Sequence, residues 1–157
     1  MVLGSVFSPG LIKVGLEGED KEEVFEELVE LYAAGKKGVS RDAILSAVRA
    51  REEKQTTGVK SGMAFPHAQT DQVKSVVGLI GISPSGIDYD AMDGKPVHVV
   101  FLILSGIDEC SMHLRVLKRL SIVLEDPEIY RSLLAQRDSA GVYETLCKYE
   151  TILTSSV

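Results

Sequence analysis

The sequence predicts an α/β sandwich, a mixed β-sheet covered by helices on both faces. Two apolar, β-branched runs, residues 75–82 (SVVGLIGI) and 97–104 (VHVVFLIL), have the near-continuous hydrophobicity of strands buried on both sides. Helical periodicity precedes and follows them, giving the order strand, helices, strands, helices that covers a sheet from two sides. With 157 residues, 45% hydrophobic and 25% charged, the chain has the length and composition of one core. We therefore expect residues 1–157 to form a single domain, since no linker or internal repeat divides them.

Residues 11–16 alternate as a short strand, which residues 18–20 break. Asp20 is placed to cap a helix, with Glu23 three residues on, and Val24, Phe25, Leu28, Leu31 and Tyr32 follow at helical spacing until Gly35. The acidic first turn suits the helix dipole. After a basic turn at residues 36–38, Ser40 caps a second helix whose inward face is Ile44, Leu45 and Val48 and whose end is the charged stretch 49–54. A small-residue loop, 56–62, leads into Met63-Ala64-Phe65-Pro66-His67-Ala68. Between the two apolar strands, residues 87–90 and 92–96 read as a small hairpin or lobe with Asp93-Gly94 as its turn. From Asp108 the pattern is helical, with Leu114, Leu117, Leu120, Ile122 and Val123 predicted as the apolar face up to Leu124. Pro127 opens a short helix to about Ala135. A last helix, 139–153, turns Val142, Leu146, Tyr149 and Leu153 inward, and residues 154–157 are expected to fray.

Charge and composition narrow the function. The net charge of −6 leaves no basic stripe to displace counterions, so nucleic acid is not an expected partner. The first ten residues lack a basic segment followed by an apolar run, and the apolar stretch at 99–104 is too short to span a bilayer, so a cytoplasmic location without membrane insertion is expected. Cys110 and Cys147 stand outside any CxxC spacing and read as reduced thiols.

Three histidines remain as candidates for chemistry. His98 lies within an apolar strand, where a packed, hydrogen-bonded ring is the plain reading. His113 falls near the start of a helix, where a functional role and a solvated first-turn position fit equally. His67 follows Pro66 at the end of a glycine-containing loop whose amides can face an anion. By position alone, its functional and structural readings stand level.

The spacing of several short motifs separates them. Arg51-Glu52-Glu53, then Thr57-Gly58, then Gly62-Met63-Ala64-Phe65-Pro66-His67-Ala68, resembles the signature of the enzyme IIA domains of the bacterial phosphotransferase system, fructose/mannitol/nitrogen-regulatory type. Asp93-Gly94-Lys95-Pro96-Val97 resembles that family's strand entry, and His113-Leu114 with Leu117 and Leu120 its histidine-bearing helix, so the ordered likeness covers about residues 8–152. The resemblance implies a mannitol-type enzyme IIA-like fold and a histidine phosphocarrier, a phosphotransferase with neither metal nor cofactor. On it, His67 accepts the phosphoryl group from HPr or a nitrogen-branch HPr-like carrier and passes it to the IIB domain of a sugar permease. His113 matches the second histidine, which stabilises or orients the phosphoryl group, and Arg51 matches an arginine supporting the anion. The Thr57 hydroxyl is a candidate further donor, and a Thr-Gly turn serving structure alone fits equally.

The chemistry agrees with this, because neutral imidazole offers a nucleophilic nitrogen at cytosolic pH and forms an N–P bond labile enough to pass on. Within the resemblance, a nitrogen-type regulator acting through phosphorylation-dependent binding and a degenerate interaction module are the alternatives. A metal-dependent hydrolase using His67, His113 and Asp71 lacks any matching ligand spacing. Two departures stand out: Phe65 replaces a smaller aliphatic residue, and Gln69-Thr70 replaces residues that are often Arg, Gly or Lys.

Overall fold

Two long strands, β4 (Val76–Ile87) and β5 (Val97–Ser105), pair antiparallel from Val76 opposite Ser105 to Ile82 opposite Val99. They form the middle of a five-stranded mixed sheet in the computed structural model, which describes residues 2–154. β1 (Ile12–Val14) runs parallel to β4 on one side. Along the other edge of β5 lie two short parallel strands, β2 (Met63–Ala64) and β3 (His67–Gln69).

Strand alternation sorts the core into two layers. Val99, Phe101 and Ile103 of β5 pack with α1 (Leu3–Val6), α4 (Cys110–Val123), α5 (Pro127–Leu134) and α6 (Ser139–Thr154). Val100, Leu102 and Leu104 pack against α2 (Lys21–Ala33) and α3 (Arg41–Lys54). Each such buried side chain stabilises the fold by about 1.5–3 kcal/mol, so the two-sided strands hold the layers together. Asp20 accepts the N–H of Glu23, and Ser40 that of Ala43, as their positions predict. No helix among the described residues is long and apolar enough to cross a membrane.

Several elements differ from the sequence expectation. The first strand is shorter, because a 3₁₀ turn occupies Pro9–Leu11 and Gly15 turns the chain at φ +90°. Residues 87–96 are not a separate hairpin. β4 continues through a bulge to Ile87, and the turn that follows joins it to β5, using left-handed φ at Asp90 and Gly94. The buried face of α4 is His113, Val116, Leu120 and Val123, whereas Leu114 is 61% exposed and Ile122 is also exposed. That face has ideal helical spacing but is rotated towards a histidine, which a search for apolar residues alone passes over.

In α6, Val142 and Leu146 are buried, but Tyr149 and Leu153 are only half-buried, and Glu150 is the third inward residue at 1% exposure. Its carboxylate accepts N–H groups from Val2, Leu3 and Gly4 at the start of α1, a helix the sequence reading did not predict, and lies 3.5 Å from Arg119. The free amides of a helix start thus satisfy a charge that burial would otherwise penalise. Thr154 is helical, and the fraying expected beyond it lies outside the described residues. Glu150→Ala should lower the unfolding free energy by about 2–4 kcal/mol, read from urea denaturation, because those amides lose a charged acceptor.

Candidate functional site

The outer edge of β5 carries what is effectively one interrupted strand. Met63 lies opposite Val99 and His67 opposite Ile103, so β2 and β3 keep a common register across the gap at Phe65 and Pro66. Proline has no N–H to give a ladder, and a break in an edge strand is where it is tolerated. Pro66 still accepts the N–H of Ile103 through its carbonyl. The Phe65 ring stacks on Phe101, with centroids 5.6 Å apart and planes 9° from parallel, and its N–H bonds the Thr57 carbonyl. Its own carbonyl accepts Nδ1–H of His67 at 2.9 Å. His67 therefore begins a strand instead of closing a loop, and no run of loop amides is needed to orient it.

This hydrogen bond places the His67 proton on Nδ1 and leaves a lone pair on Nε2. Arg51 Nε, from α3 on one face of the sheet, donates to Nε2 at 3.3 Å. The same guanidinium is steadied by a 2.9 Å bond from Nη1 to the Gln55 carbonyl. His113 comes from α4 on the other face, and its ring centroid stands 5.3 Å from that of His67. It is 6% exposed, which overturns the solvated first-turn reading, and its Nδ1 lies 2.5 Å from the hydroxyl of the buried Ser105. The three residues carried forward from the sequence thus meet at one point. An open cleft of about 470 Å³ gives access, with Lys54 adding positive charge and Ala47, Ala50 and Leu114 an apolar rim.

Both rings are held neutral. Burial lowers the His67 pKa below 6.5, with Arg51 adding to the effect and the Phe65 carbonyl and Glu52 opposing it. Burial also lowers that of His113, assisted by His67. A neutral ring is required if Nε2 is to act as a nucleophile.

Thr57 takes the structural role. Its N–H and hydroxyl bond the Glu52 carboxylate at 2.8 and 2.6 Å, and the buried Tyr89 hydroxyl lies 2.8 Å from its Oγ1. Glu52 is only 7% exposed and pairs with Lys21 at 3.1 Å. Burial pushes its carboxyl pKa up, but the Thr57 and Lys21 interactions outweigh burial and hold it below 4.5. The hydroxyl is thereby committed to Glu52 and not to the cleft, and the network pins the turn that carries Phe65. Sequence reading quoted Glu52 without giving it a partner and passed over Tyr89 and Ser105. Ser105 did carry a signal, as the polar residue that closes an apolar strand.

The other candidates lie apart. His98 is half-buried and donates from Nδ1 to the Ser83 carbonyl, a packing role. Asp71 bonds Gln72 at the surface, and no group of three or more His, Cys, Asp or Glu among the described residues could hold a metal ion. Cys110 and Cys147 are free thiols, Cys110 being exposed at the cleft. Gln69 also lines the cleft, whereas Thr70 is buried and uses its N–H to bond Ser105.

Residues 5–149 match the family described as phosphoenolpyruvate-dependent sugar phosphotransferase system, EIIA 2. The chain is 32% identical over 146 residues to a nitrogen regulatory protein of Bradyrhizobium diazoefficiens, covering 93% of this chain and 95% of that one. It is 31% identical over 150 residues to the PTS system fructose-specific EIIABC component of Bacillus subtilis. That match covers 96% of this chain but spans only 24% of the relative's length. The solved structure of nitrogen regulatory protein IIA-Ntr from Neisseria meningitidis superposes with a TM-score of 0.85 at 27% identity, covering 93% of this chain and 99% of that one.

The depressed histidine pKa values have a measurable consequence. On acidification the unfolded chain takes up protons first, so the stability conferred by the two neutral rings is complete above pH 6.5 and is lost as pH falls below it. Chemical-shift titration should place both midpoints below 6.5, and urea unfolding should show stability declining from that pH downward.

Proposed function

The chain belongs to the EIIA 2 family of the phosphoenolpyruvate-dependent sugar phosphotransferase system, a family of phosphotransfer components, and within it we propose that His67 is the residue that carries the phosphoryl group. The observation that supports this most directly is the pairing of Nδ1–H with the Phe65 carbonyl, which leaves the Nε2 lone pair between Arg51 and His113.

The donor in this reading is a phosphohistidine on HPr or a nitrogen-branch HPr-like carrier. The Nε2 lone pair forms a new N–P bond while the donor's N–P bond breaks, its electron pair returning to the donor ring. Transfer of this kind passes through a loose transition state, so positioning and stabilisation of the equatorial oxygens supply the catalysis. Arg51 offers charge from one face of the sheet and His113 a ring from the other. Because Nδ1 keeps its proton, the phosphorylated ring is cationic at its nitrogens and leaves readily, which suits onward transfer. The apolar rim at Ala47, Ala50 and Leu114 suits a small, transient docking surface.

In the transport reading the phosphoryl group then passes to the IIB domain of a sugar permease, and the exchange takes place in the cytoplasm. The likeness to a nitrogen regulatory protein over 95% of that protein's length favours a second reading, in which phosphorylation changes binding to other proteins. Discharge of the labelled protein by a IIB domain supports the first, and phosphorylation-dependent capture of a regulated partner supports the second.

Incubation with the general carriers and labelled phosphoenolpyruvate should load wild-type protein with acid-labile phosphate. His67→Ala should take up none while remaining folded by circular dichroism, and label retained in that variant would count against the assignment. His113→Ala and Arg51→Ala should each slow uptake by roughly 100-fold, as expected for loss of one group stabilising transferred charge.

A further inference from the structure

Ser105 is the one polar residue on the face of β5 formed by Val99, Phe101 and Ile103, and it is fully buried. Strand alternation gives it the same side of the sheet as Ile103, the side on which α4 packs. Its hydroxyl lies 2.5 Å from Nδ1 of His113 and 3.5 Å from the Ala68 carbonyl.

A hydroxyl has one proton, and the two distances decide where it goes. If His113 carried its proton on Nδ1 and donated to Ser105, the hydroxyl would have to donate to Ala68 at the limit of hydrogen-bonding distance. If the hydroxyl donates to Nδ1, the 2.5 Å contact is an O–H···N bond, the donor type that makes the shorter bonds, no bond to Ala68 is needed, and His113 carries its proton on Nε2. Nε2 is the nitrogen turned from the strand, on a ring that lines the cleft.

The geometry points to Ser105 as a positioning residue that locks His113 in the Nε2–H tautomer, so that this ring presents an N–H to the phosphoryl oxygens without having to be charged. The consequence is a pair of histidines in opposite tautomers. His67 is protonated at Nδ1 through a backbone carbonyl and serves as acceptor of the phosphoryl group. His113 is protonated at Nε2 through a side-chain hydroxyl and serves as hydrogen-bond donor. In the other tautomer, the neutral ring of His113 would turn a lone pair towards an incoming dianion and repel it. Burial of His113 lowers its pKa and so favours the neutral ring that the arrangement uses. The role rests on the phosphocarrier reading, but the tautomer itself does not.

Long-range ¹H–¹⁵N correlation of the unphosphorylated protein near neutral pH reads the tautomer directly. Wild type should show His113 protonated at Nε2 and His67 at Nδ1, and an Nδ1–H pattern for His113 would overturn the inference whatever the variants do. Ser105→Ala should give a mixed His113 pattern and slow phosphate uptake from a labelled carrier by about tenfold, the scale of a misplaced catalytic group. Ser105→Thr, which keeps the hydroxyl, should restore both. An unchanged tautomer in Ser105→Ala, or equal slowing in Ser105→Thr with the tautomer intact, would overturn it. If Ser105→Ala does not fold, the wild-type and Ser105→Thr spectra still decide. Wild-type protein that takes no label from any carrier, yet shows His113 as Nε2–H, would refute the phosphocarrier reading and sustain the tautomer assignment.

Discussion

The break in the edge strand at Pro66 is the constraint on which the site depends. An uninterrupted strand would spend the carbonyl of Phe65 on the ladder or on solvent. Here the register is kept on both sides of the break, and the carbonyl is free to meet Nδ1 of His67. One backbone acceptor thereby selects the tautomer, aims the ring and exposes Nε2. The register matters equally, because a slip of one residue would turn His67 to the other face of the sheet.

Support for that break comes from both layers. Beneath it, Phe65 is stacked on Phe101 in the centre of β5. Behind it, the buried Glu52 carboxylate gathers Thr57 and Lys21, with Tyr89 alongside, and Thr57 in turn accepts the N–H of Phe65. Burying a carboxylate is costly unless its oxygens are bonded, and here they are, which is why its pKa falls despite burial. Such a network resists rearrangement, so a side chain positioned through it needs little reorganisation when a charged group arrives. The aromatic Phe65, a departure from the smaller residue of the resembled pattern, is accommodated by this stacking instead of disturbing the ring above it.

Much of this was legible in the chain. The caps at Asp20 and Ser40, the two central strands and the motif residues His67, His113 and Arg51 were readable because each depends on local spacing or on a short ordered pattern. What was not foreseen depended on partners that only the folded chain brings into bonding geometry. Leu114 and Ile122 looked like core because they are apolar, yet the helix turned His113 inward, where Ser105 supplies a polar partner. Glu150 was not singled out in the sequence, yet the amides of Val2 to Gly4 make its burial favourable. Thr57 was left open between a ligand donor and a structural turn, and its hydroxyl is spent on Glu52.

The sequence by itself determined the layered α/β class and the acceptor candidate, because hydrophobic period and motif order are properties of a one-dimensional string. Only the tertiary structure decided which nitrogen of His67 is left without a proton, that α3 and α4 deliver Arg51 and His113 from opposite faces, and which hydroxyls are spent elsewhere. The physical reason is that a tautomer or a spent donor is set by hydrogen bonds whose direction the folded backbone fixes, even between near neighbours such as Phe65 and His67 or Glu52 and Thr57. Those bonds exist only after the sheet has brought their ends within about 3 Å.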